Sequence, residues 1–380
     1  MCVTLAPVTL HDLRTPCVLV DWVRAERNIS RMQAAATAKG RRLRPHAKTH
    51  KSIELARLQV EHGAVGICCA KLGEAEVFAQ AGIADIRLPY PLHFSNADRV
   101  LELLDRTHLS FILDHPDVAR GWSDAMRAAR QEVDVLVKVD VGFHRCGIDP
   151  DAAGAADMVA RIASLPGLRF KGLLSHAGQA YGAMSDAETR AIAAAEATVL
   201  LDLAARVAGL GVPCEEISVG ATPTARFSME IEGLTELRPG NFVYYDRTQV
   251  ALGAAAWDDC ALTVLARVVS RPAANRLILD CGSKTLSNDL ARGSGDTRGH
   301  GVVLQALNVA EPDTRLLIER LSEEHANVAV VGESSLAPGD LVRVVPNHSC
   351  VVSNLVDAVW RVDGMDVLGS MNVAARGRIT

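Results

Sequence analysis

What most constrains this chain is an alternation that runs through its first 250 residues, in which short apolar, β-branched runs are separated by Ala-rich amphipathic stretches. The runs are RLRPHAK (42–48), VGICCA (65–70), IRLPYP (86–91), SFILD (110–114), DVLVKVD (134–140), FKGLLSH (170–176), EEISVG (215–220) and ELRPG (236–240). Between most of them lie segments such as LGEAEVFAQAG and DAETRAIAAAEATVLLDLAARVAGLG. Strands alternating with helices build βαβ units and a parallel sheet. Eight such strands is the number that closes a TIM-like (β/α)8 barrel. A doubly wound open sheet is the other arrangement this pattern permits.

A ninth run, PCVLVDW (16–22), has no place in that barrel. After residue 255 the pattern changes to ALTVLARVVSRP, RLILDCG, GVVLQAL, LVRVVP and AVWRVDG, separated by Gly and Pro turns. That spacing predicts a mostly antiparallel β domain, which the early strand is free to join. The expected fold class is therefore α/β: a barrel over 23–250, with residues 1–22 and 251–380 forming the β domain.

Composition narrows the function classes. At 380 residues with 49% apolar and 22% charged, the chain buries a sizeable core rather than staying disordered. The net charge of −5 with scattered Lys and Arg argues against nucleic acid. No run approaches the ~18 apolar residues of a membrane span, and MCVTLAPVTLHDLR lacks a secretory pattern. Nine cysteines without repeated spacing suggest no disulfide framework, so the expected home is the reducing cytoplasm. Cys68 and Cys69 read as buried thiols.

Four segments carry candidate chemistry. In RLRPHAKTHK, Lys48 stands near the C-terminal end of the first barrel strand, where barrel enzymes gather catalytic groups. His46, His50 and Lys51 surround it with potential positive charge, which lowers an amine's pKa and suits imine formation. The competing reading is a solvated, idle lysine. SVGATPTARF offers Gly220, Ala221 and Thr222 in a tight turn, with Thr224 beyond, as backbone donors and hydroxyls for a phosphate. Arg145, in VDVGFHRCG, reads as an ion-pair partner for Asp140, and His176, in LLSHAGQAYG, as a structural hydrogen-bonding histidine. In VVPNHSCVVSN, His348 and Cys350 are two residues apart at the end of an apparent strand, so both side chains are expected to face one way. Imidazole plus thiolate suits Zn²⁺, and a two-ligand set leaves positions open for water and substrate.

RPHAKTHK resembles the cofactor-lysine motif of the D-serine dehydratase and D-threonine aldolase family, fold-type III pyridoxal-phosphate enzymes that share the alanine racemase fold. The resemblance runs from TPCVLVD at 15–21 to AARGR near the end of the chain. It implies that Lys48 holds pyridoxal 5'-phosphate as an imine and that the first strand joins the β domain. It further implies that SVGATPTARF is the phosphate loop, that Gly240, Asn241 and Tyr245 of RPGNFVYYD form a second phosphate-side element, and that Arg145 lies near the cofactor ring. SHAGQAY looks like the dehydratase branch, in which His176 lines the cofactor and Tyr181 meets the ring nitrogen. The resemblance also implies that His348 and Cys350, as the matching His-x-Cys pair, bind a divalent metal that holds the substrate's β-hydroxyl. His-x-Cys rather than His-x-Asp leans toward Zn²⁺ and dehydration, with Mn²⁺ or Mg²⁺ as alternatives.

The expectation is a lyase acting on a small D-β-hydroxy amino acid. The leading reaction is β-elimination to a 2-oxo acid and ammonia, with Lys48 as base. The alternative is retro-aldol cleavage to glycine and an aldehyde, with His176 or a metal-bound water as base. Racemisation and a non-catalytic cofactor carrier are less consistent with a metal pair and a second domain. Arg226 is the candidate for a second substrate carboxylate, and the family resemblance implies a homodimer.

Overall fold

A computed structural model describes residues 8–294 and 296–380, and the chain divides into two compact units. One unit contains the residues up to Ser30, Thr49–Ser52 and Asn241–Arg376; the other contains Arg31–Lys48, Ile53–Gly240 and Gly377–Thr380. Residues 1–7 of the expected β domain lie outside the described residues.

The second of these units is the TIM-like barrel. All the expected strands form: Arg42–Leu43, Ile67–Cys68, Asp85–Pro91, His108–Leu113, Val133–Lys138, Leu168–Leu174, Glu216–Val219 and Glu236–Leu237. Each pairs in parallel with its neighbours, and the first pairs with the last, Arg42 opposite Glu236. A parallel bridge between His46 and Cys68, with Val65 N–H to the Leu43 carbonyl at 3.0 Å, joins the first strand to the second and closes the ring. Strand Val133–Lys138 is buried at every residue, as expected of a strand covered on both faces. Helix Asp186–Gly209 starts where the Ser185 hydroxyl accepts from the Glu188 N–H (3.1 Å), and it buries Leu200, Leu203 and Val207. Gly172 is required where two strands approach closely, because a Cβ there would run into the Glu216 carbonyl.

The strands' N-terminal ends carry ion pairs. His108 bridges Asp85 (3.2 Å) and Asp134 (2.8 Å), and Asp134 also takes Arg169 (2.7 Å). Side-chain hydrogen bonds that the imidazole donates to Asp134 and Asp85 push His108 up to about 9. Inside the barrel, Glu236 is fully buried yet stays ionised: burial raises its carboxyl, but Arg87 (2.6 Å) and Arg44 (2.8 Å) overcome that and bring it down to about 2.

The other unit is a nine-stranded, mostly antiparallel sheet. The early strand Cys17–Asp21 lies between Leu262–Ala273, antiparallel, and Ala358–Asp363, parallel, so it belongs here and not to the barrel. Leu10, Leu13, Leu19, Leu265 and Val362 form a buried core under it. Three strands had no counterpart in the sequence reading: Pro312–Leu321, Ala326–Val330 and Asp366–Asn372. In the first of them one-sided burial mixes charged residues into the apolar pattern: PDTRLLIERL alternates buried Asp313, Leu316 and Ile318 with exposed Arg315, Glu319 and Arg320. Among the described residues no helix is long and apolar enough to cross a membrane, and the eight described cysteines are free thiols.

Candidate active site

The barrel gathers its candidates on one rim. Lys48 lies in the short 3-10 turn Ala47–Thr49, just past the first strand. Arg145 lies beyond Val133–Lys138, His176 and Tyr181 beyond Leu168–Leu174, Gly220–Thr222 beyond Glu216–Val219, and Gly240 beyond Glu236–Leu237. All follow the C-terminal ends of their strands, the catalytic end of a barrel.

The charges that act on His46 and His176 at this rim are positive. Burial, then the charges of Lys48 and Arg145, pushes the His176 imidazole well below its ordinary value. His46 is pushed down by burial, Lys48 and Arg238. Both rings are therefore neutral at pH 7. His176 Nδ1 donates to the Gly220 carbonyl (2.5 Å), which fixes the tautomer and leaves Nε2 with a free lone pair. Phe143 meets the same ring edge-on, with centroids 5.7 Å apart.

Arg145 does not pair with Asp140. The loop Asp140–Gly147 folds back so that Ile148 bridges Val139, and Asp140 serves as the loop's anchor. It accepts the N–H groups of Gly142 and His144 (both 3.0 Å) and lies 2.9 Å from His144 Nδ1. That leaves Arg145 exposed, its guanidinium 5.3 Å from the Phe143 ring centroid. Arg226, the candidate for a second carboxylate, is taken by Asp186 at 2.7 Å and stacks on Phe227.

The turn after Glu216–Val219 opens into helix Thr222–Ser228. The Thr222 hydroxyl is buried and has no hydrogen-bond partner among the described residues. An unsatisfied buried hydroxyl costs about 1–3 kcal/mol unless something supplies a partner. With the neighbouring surplus of cations, this is a fitting place for a phosphate.

The β unit holds the other constellation. The strand Leu341–Val345 stops at Pro346, so His348 and Cys350 are not at a strand end as the sequence pattern suggested. His348 instead caps helix Ser349–Asn354, and Cys350 lies in its first turn. The two side chains still meet, because the imidazole and thiol hydrogen-bond each other. His348 Nδ1 is 2.6 Å from Asp289, and Cys350 Sγ is 3.2 Å from the hydroxyl of Thr49, the residue bonded to Lys48. Burial pulls the imidazole down, but Cys350, Asp246 and Asp289 push it up to about 10. The Cys350 thiol is raised by burial and lowered, on balance, by His348 and Thr49. A histidine whose Nδ1 is held by a carboxylate, next to an acidified thiol, is a donor set suited to a divalent metal.

Asn241 and Tyr245, expected on the phosphate side, belong to this β unit. The Asn241 amide donates to Asp246 (2.6 Å), Ser349 (3.1 Å) and Cys350 Sγ (3.5 Å). Tyr245 is buried in the left-handed region, with φ of 48°. Lys51, expected beside Lys48, gives its ammonium to Asn354 at 2.7 Å.

Several groups escaped the sequence reading. Lys138 is buried at the end of its strand, where burial and Arg238 bring its amine down to about 8. Arg238 grips the Ser175 carbonyl and the Ser218 hydroxyl from inside the barrel. The available signal was a charged residue inside an apolar run, as in DVLVKVD and ELRPG.

The alanine racemase N-terminal domain family matches residues 20–248, and the serine dehydratase domain family matches residues 261–362. A D-threo-3-hydroxyaspartate dehydratase from Delftia sp. (strain HT23) is 32% identical over 90% of this chain and 92% of its own. The chain belongs to the D-serine dehydratase and D-threonine aldolase family. Within that family, a D-threonine aldolase from Arthrobacter sp is likewise 32% identical, over 97% of this chain and 94% of its own. The solved D-threonine aldolase from Filomicrobium marinum superposes with a TM-score of 0.89 at 30% identity, covering 99% of both chains. The Delftia dehydratase superposes equally well, at 0.89 and 31% identity over 96% of this chain and 98% of that one. It has also been solved as a histidine-to-alanine mutant and, two positions further on, as a cysteine-to-alanine mutant in the metal-free form. Alanine racemase from Clostridium difficile 630, at 11% identity and a TM-score of 0.68 over 95% of this chain and 99% of that one, shares the fold of the family.

Proposed function

We propose that this protein is a pyridoxal-phosphate- and divalent-metal-dependent lyase that removes water from a D-β-hydroxy-α-amino acid, giving a 2-oxo acid and ammonia. The observation that carries the reading is the His348–Cys350 contact: an imidazole braced by Asp289 (2.6 Å) beside a thiol whose pKa is lowered. A dehydratase relative solved as a cysteine-to-alanine mutant in the metal-free form is in keeping with it.

Lys48 Nζ would hold the cofactor covalently and act as the base that takes the α-proton. Thr222, Ala221 and Gly220 would hold its phosphate; Arg145, His176 and Tyr181 would line its ring, and Gly240, Asn241 and Tyr245 would support the phosphate side. His348 and Cys350 would hold the metal, Zn²⁺ by the softness of the thiolate. When bound, the cofactor supplies an electron sink at Cα and the metal supplies Lewis acidity toward the β-hydroxyl.

One observation favours the retro-aldol alternative. His176 is neutral, and its free Nε2 could take a proton from the β-hydroxyl rather than leave that oxygen to depart as water. Incubation with D-threonine separates the two readings: 2-oxobutyrate and ammonia are expected, and acetaldehyde with glycine would replace dehydration by aldol cleavage. A homodimer in the cytoplasm is the assembly and location that fit this reading, and light scattering after gel filtration tests the first.

A further inference from the structure

We propose that Asp246 is the positioning residue of the His348–Cys350 metal pair, a role that deepens and rests on the metal reading above. Ligands two residues apart at a helix start converge only if the residue between them is fixed. Here that residue is Ser349, and one oxygen of Asp246 holds it twice: it accepts the Ser349 N–H at 2.9 Å and the Ser349 hydroxyl at 3.2 Å. The same oxygen accepts the Asn241 amide at 2.6 Å, and that amide reaches on to Cys350 Sγ at 3.5 Å. The carboxylate thus acts on the pair both through the backbone between the ligands and through the thiol itself.

Asp246 is itself immobilised. It is fully buried, and its other oxygen accepts the Gln249 N–H at 3.0 Å, capping helix Arg247–Ala251. The next two residues hold the segment that enters the ligand turn: Arg247 N–H to the Pro346 carbonyl (3.1 Å) and Thr248 Oγ1 to the Asn347 carbonyl (2.8 Å). Three consecutive residues, 246–248, therefore clamp the stretch 346–349.

The test compares zinc affinity, by chelator competition on cofactor-loaded protein stripped of metal, in the wild type, His348→Ala, Asp246→Asn and Ser349→Ala. Asp246→Asn keeps the shape and one acceptor but loses the oxygen that accepts from Ser349 and Asn241 together. It is expected to weaken zinc binding by about 10–100-fold. It should also disturb the cobalt–thiolate charge-transfer band of the Co²⁺-substituted protein, a signature that a merely structural residue would not move, while the visible cofactor absorbance is retained. Wild-type zinc affinity and an unchanged cobalt band in Asp246→Asn would overturn the inference. If that variant does not fold, Ser349→Ala decides: a loss of about tenfold supports the clamp, and wild-type affinity refutes it. His348→Ala separates the two levels of the argument. If it binds zinc as the wild type does, the metal reading itself fails; if it loses zinc while Asp246→Asn does not, only the clamp fails.

Discussion

Two histidines in this molecule are driven in opposite directions. His176, on the barrel rim, is pushed well below its ordinary pKa by burial, Lys48 and Arg145. His348, in the β unit, is half-buried, and Cys350, Asp246 and Asp289 bring it up to about 10 against the pull of burial. Burial alone would lower both; the sign of the neighbouring charge decides the outcome. The rim surrounds a neutral imidazole with cations, a setting suited to an anionic ligand. The β unit surrounds a donor pair with carboxylates and so suits a cation.

The largest effect is expected at Lys48. Lys48→Ala should remove the visible cofactor absorbance and lower kcat by ~10³-fold or more; retained turnover ends the argument for the rim. His348→Ala should leave that absorbance in place while turnover falls by about 10³-fold, the several kcal/mol expected of a lost Lewis acid. Extracting the metal should have the same effect and zinc should reverse it. His176→Gln tests the neutral-base side. A fall in kcat of about 10²-fold is expected. Because His176 is already neutral, the wild-type pH–rate profile between pH 6.5 and 8 should show no limb that the variant lacks; such a limb would mean that the ring titrates in that range.

The smallest effect lies at the far end of the barrel strands, where His108 resembles His348 in being raised but touches no candidate chemistry. Its folded value of about 9 exceeds the unfolded 6.5. Its contribution is therefore fully present below pH 6.5 and is lost as pH rises through 9. The ring is half exposed, which limits the contribution to about 1 kcal/mol or less. His108→Gln should lower Tm at pH 6 and match the wild type at pH 10; equal melting at both pH values would remove the bridge from the stability argument.

These contrasts also mark what could be read from the sequence. The barrel strands were legible because each is buried on both faces and so forms a continuous apolar run, as VDVLVK does. Lys48, His176 and the Gly220–Thr222 turn were legible because they sit just beyond such runs. The strand Pro312–Leu321 was hidden by the charges on its exposed face. Lys138 and Arg238 were hidden because one charged letter in a strand does not say whether it points inward. The setting of the His348–Cys350 pair differs from the expected strand end for a local reason: alternation along a strand was extended past Pro346, where the chain has already turned into a helix. The two side chains meet because of that turn.

The closure of the barrel has one more consequence. The segment leading to Lys48 is paired with Glu236 and Leu237 through Arg42 and Leu43, and with Pro239 through the His46 N–H (2.9 Å). These partners lie nearly 200 positions further along the chain. On a growing polypeptide the lysine is synthesised early, but its surroundings are completed only when the last strand docks. Contacts of such long range make assembly slow, and an unfinished copy leaves the Lys48 segment without these partners. Recovery of the cofactor's colour during refolding should therefore report completion of the whole ring rather than formation of its first strand.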